Sequence, residues 1–128
     1  MEYICLVLIV CSFSASKIPV EVCLTSNKFS TSVSDLRKHP VQHLVAAGHP
    51  IVVCTDDKGL FGISLADEYH SLDELFDLGA TTLVGLIRNS TQHAFCDNDL
   101  KVQLNSYIRN ESQKLLDQLT LAMMPTKK

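Results

Sequence analysis

The chain has 128 residues, 46% hydrophobic and 20% charged, with 11 basic and 14 acidic side chains and a net charge of −3. That composition is globular rather than disordered, and the length suffices for one ordinary core. No basic cluster exists beyond Lys127-Lys128, which argues against a nucleic-acid partner bound through its phosphates.

The chain begins with a short apolar run, Tyr3 to Phe13, ahead of Ser14-Ala15-Ser16. The run is too short for a stable membrane span. It has the length of a secretory signal's apolar region, but the flank carries Glu2 and no Lys or Arg. Residues 1–16 therefore read either as a signal-like start or as an aberrant start joined to a truncated domain. Asn89-Ser-Thr and Asn110-Glu-Ser match the N-glycosylation pattern, a match that arises often by chance. Against secretion, none of Cys5, Cys11, Cys23, Cys54 and Cys96 shows C-x-x-C spacing, and their number is odd. Cys23 and Cys54 sit in apolar runs, where a thiol behaves as a small core residue. Reduced structural thiols and a cytoplasmic setting are the expectation for residues 17–128, with the secretory path as the alternative.

Residues 18–25 predict a strand, with Pro19 near its start, where a missing N–H is tolerated. Ser26 to Lys38 is polar and reads as a long loop. His39-Pro40 then opens a short helix with Gly48 just past its end, the usual Pro-start, Gly-stop asymmetry. The uncharged run 51–54 predicts a buried parallel strand. Lys58 to Ile63 reads as a loop. Ser64, with Asp67 three residues on, predicts a capping box. Leu65, Tyr69, Leu72 and Phe76 give the helix it opens a buried face, and Gly79 is its expected end. A second helix is predicted over 81–94, with Leu83, Ile87 and Ala94 on one side. Asp97 is placed to cap a third, with Leu100, Leu104, Ile108, Leu115 and Leu119 along its stripe. Residues 121–128 are left as a tail. Strand, helix, strand is a βαβ unit, and two strands alone make only a piece of a larger α/β fold.

The chemistry gathers after the second strand, where Asp56 and Asp57 follow an apolar run. Strand C-terminal ends are where open α/β sheets and barrels place their sites. Two adjacent acids suit a cation, a proton or a ligand, and Asp56 is a candidate metal ligand. The plainer reading is that both acids cap the next turn. Thr25-Ser26-Asn27 is positioned either to bond a substrate or to shape a loop. His39 and His43 have metal-pair spacing, but no H-E-x-x-H accompanies them. Helix capping by His39 and a solvent-facing His43 are expected instead.

Val20-Glu-Val-Cys-Leu-Thr-Ser-Asn27, His39-Pro40, Gly48, Cys54-Thr-Asp-Asp57, Phe61, Leu65 and Glu68-Tyr69 resemble the last part of the adenosine deaminase family, and most closely its N(6)-methyl-AMP-deaminating branch. The resemblance covers residues 17–110 and implies the end of a (β/α)8 barrel, with 18–24 as strand seven and 51–54 as strand eight. It implies zinc-dependent hydrolytic deamination of a 6-amino or 6-alkylamino purine nucleoside or nucleotide. In that family Asp56 matches the catalytic zinc ligand beside the attacking water, and Asp57 matches the contact to the purine. A small-molecule purine partner and a monomeric intact protein follow from it. The family's other zinc ligands include a His-x-His, which does not occur in this chain. Little or no activity is expected of the chain alone. A non-catalytic truncated form, binding a partner through open sheet edges, is the alternative.

Overall fold

The computed structural model describes residues 16–31 and 33–123. The apolar start up to Ala15, with Cys5 and Cys11, and the last five residues of the tail lie outside the described residues.

The first strand, β1 (Val20–Val22), pairs in parallel with β2 (Ile51–Val53). The register is Val20 to Ile51, Glu21 to Val52 and Val22 to Val53. Two further bonds extend the ladder, from Val20 N–H to the Pro50 carbonyl at 3.0 Å and from Cys54 N–H to the Val22 carbonyl at 2.9 Å. At the start of the strands the buried His49 reaches the Ile18 carbonyl through Nε2, at 2.8 Å. A carbonyl only accepts, so Nε2 carries the proton.

Between the strands run α1 (Leu24–Phe29), a 3-10 turn (Leu36–Lys38) and α2 (Val41–Ala46). The expected long loop is therefore partly helical, and the first strand ends earlier than predicted. Pro40 stands one residue before α2 as its N-cap at φ −65°, and Gly48 follows with φ +58°, a left-handed value that suits a residue without Cβ.

After β2 come α3 (Lys58–Phe61), α4 (Leu65–Phe76), α5 (Gly79–Ser90), a 3-10 turn (Thr91–His93) and α6 (Asn98–Met123). The predicted loop 58–63 thus contains one helical turn. The capping box of α4 forms as its sequence requires. Ser64 Oγ accepts Asp67 N–H at 3.3 Å, and Asp67 Oδ2 accepts Ser64 N–H at 2.7 Å. The helix ends at Asp77 (φ +49°) rather than at Gly79, which is instead the first residue of α5. Asp73 explains the shift. Its carbonyl takes Asp77 N–H and its side chain takes Gly79 N–H, at 2.8 and 2.9 Å.

The core is Val22, Leu24, Val41, Ile51, Val53 and Leu72, all buried. Leu36, Leu44, Tyr69, Phe76, Leu83 and Leu86 pack against it from the helices. Burial alternates along β2, with Val52 only half-buried, so the strand is covered fully on one face among the described residues. Of the stripe predicted for α4, Leu72 is fully buried, Tyr69 and Phe76 are half-buried, and Leu65 is exposed. Asp97 caps α6 by accepting Leu100 N–H at 2.8 Å. Arg88 ties α5 to α6, from Nε to Ser112 Oγ at 2.7 Å and from Nη2 to Gln113 Oε1 at 3.2 Å. The stripe of α6 is covered only in part. Leu104 and Ile108 are half-buried, while Leu100, Leu115 and Leu119 are exposed. No helix among the described residues is long and apolar enough to cross a membrane.

Candidate functional site

Both strands end on the same side of the sheet, and the polar residues that follow them meet there. Past β2 the backbone turns sharply, and Asp56 takes a left-handed φ of +57°. Aspartate tolerates that conformation better than most residues with a side chain. The turn brings Asp56 Oδ2 to Ser26 Oγ, which donates to it at 2.7 Å. The two residues are far apart in sequence, so this bond crosses from one strand end to the other. Asp57 plays the capping part that the plainer reading assigned to both acids. Its Oδ1 accepts Leu60 N–H at 2.8 Å and starts α3. The pair is thus divided: Asp57 caps a helix, whereas Asp56 is held by a hydroxyl. Both are exposed.

Ser26 sits in α1, the helix that sequence reasoning left as a loop. Two clamps hold this short helix. At its start, Glu68 of α4 accepts Leu24 N–H through Oε2 at 2.8 Å and Thr25 N–H through Oε1 at 3.1 Å. Farther along, Asn27 Oδ1 accepts from His39 Nε2 at 2.9 Å. His39 Nδ1 accepts Val41 N–H at 3.1 Å. The second bond assigns the ring proton to Nε2 and gives His39 its expected capping role at α2. Phe29 stacks on Phe61, with ring centroids 5.5 Å apart, and links α1 to α3.

Glu68 is the residue whose role the sequence left unassigned. Its signal was present: it lies four residues before Leu72, in helical register with the buried face. A charged residue there needs partners that compensate its burial.

Cys23 and Cys54 each lie one residue past a strand, and both are half-buried. Burial pushes the Cys23 thiol up to about 11 and raises Cys54 as well. Both are free and neutral at neutral pH, consistent with structural thiols rather than nucleophiles or thiolate ligands. Among the described residues no group of three or more His, Cys, Asp or Glu side chains gathers. His39 has both ring nitrogens engaged, and His43 is exposed, so they form no metal pair. A catalytic zinc takes three protein ligands. Asp56 fits such an ion as one carboxylate ligand, but the described residues do not complete its site.

The adenosine deaminase family pattern matches residues 9–111. The chain is 38% identical over 88 residues to the N6-mAMP deaminase of Arabidopsis thaliana, covering 69% of this chain and 25% of that protein. It is 38% identical over 92 residues to the aminodeoxyfutalosine deaminase of Streptomyces avermitilis, covering 72% of this chain and 26% of that protein. A crystal structure of Arabidopsis ADAL complexed with IMP superposes with a TM-score of 0.76 at 32% identity, covering 80% of this chain and 30% of that one. The chain spans about a quarter of the length of the curated relatives it matches. The match takes in both strands, the two acids between β2 and α3 and the helix that supplies Glu68, and by it the chain belongs to the adenosine deaminase family.

Proposed function

We propose that this chain is the C-terminal part of a (β/α)8-barrel deaminase, with β1 and β2 as its last two strands. The enzyme removes the 6-amino or 6-alkylamino group of a purine nucleotide by hydrolysis. The observation that carries this reading is Asp56, exposed at a parallel strand's C-terminal end and held by Ser26 at 2.7 Å. That is where barrel enzymes keep their catalytic groups. Asp56 is proposed as one ligand of a zinc ion whose remaining ligands come from outside the described residues. Asp57 is proposed as the purine contact, since its helix-capping bond uses one carboxylate oxygen and leaves the other to accept from a ligand.

A nucleotide substrate is supported by what the relatives are called and by the IMP bound to the Arabidopsis protein. IMP carries oxygen where AMP carries the 6-amine, so it is the product expected from AMP or an N6-alkylated AMP. The proposed setting is cytoplasmic.

Alone, the chain is expected to release no ammonia from AMP and no methylamine from N6-methyl-AMP. Grafted in place of the matching segment of the Arabidopsis N6-mAMP deaminase, residues 17–110 are expected to sustain methylamine release. A folded graft with no turnover would count against the reading, as would turnover by the chain alone.

A further inference from the structure

Glu68 carries chemistry that the proposed reaction does not use. It is fully buried, beside the apolar core that Leu24 and Leu72 share. Its carboxylate is not paired with a cation but forked across two successive N–H groups, those of Leu24 and Thr25. Those two residues immediately precede Ser26, the donor to Asp56. A helix as short as α1 does not hold its shape unaided, because too few internal bonds offset the ordering of its backbone. Its orientation is set from outside, and Glu68 grips its first turn.

We propose that Glu68 is a positioning residue for the Asp56 site. By clamping Leu24 and Thr25 it fixes where Ser26 presents its hydroxyl, and through that hydroxyl it fixes how the Asp56 carboxylate is turned. The relay runs from α4 through α1 to the end of β2. Its bearing on catalysis rests on the functional reading above; its geometry does not.

The test is carbon-detected NMR of the 128-residue chain, following the Asp56 Cγ resonance, assigned by its loss in Asp56→Asn. Ser26→Ala gives the resonance position of a carboxylate released by its donor. Glu68→Gln keeps the side chain's volume but sets an NH2 against one of the two N–H groups. It is expected to move Asp56 Cγ to the Ser26→Ala position and to speed amide exchange at Leu24 and Thr25 by about 10-fold or more. Ser26→Ala added to Glu68→Gln is expected to move Asp56 no further. Faster exchange at Leu24 and Thr25 with Asp56 unmoved would overturn the proposal and leave Glu68 a purely structural clamp. If Glu68→Gln loses amide dispersion, Glu68→Asp makes the same comparison, since it keeps the charge and withdraws the carboxylate by one methylene. Collapse of both spectra would assign Glu68 to core stability and would also overturn the proposal. None of these readouts requires turnover, so an intact relay in a graft that fails to deaminate would sink the functional reading alone.

Discussion

His39 has both ring nitrogens committed, Nε2 as donor to Asn27 and Nδ1 as acceptor from Val41 N–H. Protonation at Nδ1 would set two donors against each other inside the fold. Burial holds the His39 pKa below its ordinary value, with the Glu68 charge opposing in part. A histidine depressed in the folded state contributes stability above its unfolded pKa, and that contribution is lost as pH falls. Urea midpoints should therefore drop between pH 7.5 and pH 5.5, beginning near the unfolded value of about 6.5. The drop should shrink in His39→Gln, measured against wild type at each pH. An equal drop in both proteins would remove His39 as its source. At this scale the sequence was partly legible. Asp56 and Asp57 stood out because adjacent acids after an apolar run are electrostatically conspicuous. Their division of labour did not, because it depends on a left-handed turn and on a hydroxyl from a distant helix. The burial of Glu68 was legible from its register, but its partners were hidden for the same reason, since they are backbone groups remote in sequence.

Among the elements, α4 is the one whose start is written locally. Ser64 and Asp67 satisfy each other's backbone N–H groups, and the Ser64 bonds hold the Asp67 carboxyl below its ordinary pKa. Ser64→Ala should cost about 1 kcal/mol of stability, the usual loss for a cap of this kind. Urea unfolding with an unchanged m-value would check it, and a change under a few tenths of a kcal/mol would contradict it. The end of α4 was harder to read, because Asp77 adopts the left-handed conformation that Gly79 was expected to supply. The Asp73 side chain makes the difference by capturing Gly79 N–H. In α1 the residues Thr25-Ser26-Asn27-Lys28 have the polar composition of a loop. They are helical because Glu68 and His39 grip the segment from outside, which no local pattern contains.

At the scale of the whole molecule, β1 and β2 form a two-stranded sheet whose helices cover one face. Leu100, Leu115 and Leu119 on α6 stay exposed along its apolar stripe. The strand, helix, strand order was legible from periodicity and from the Pro-start, Gly-stop signals. What the strands belong to was carried by the family resemblance, because two strands do not specify a barrel. The match to about a quarter of each relative accords with that reading. On the proposed reading the Asp56 carboxylate is a metal ligand of a purine deaminase. The measurement closest to it is zinc content together with methylamine release, in the graft of residues 17–110 into the Arabidopsis enzyme, with and without Asp56→Asn. Asp56→Asn is expected to lower kcat/KM by at least about 100-fold and to release the zinc, since even partners that only orient a ligand cost roughly 10- to 100-fold. A graft with Asp56→Asn that keeps both its zinc and its kcat/KM would contradict it.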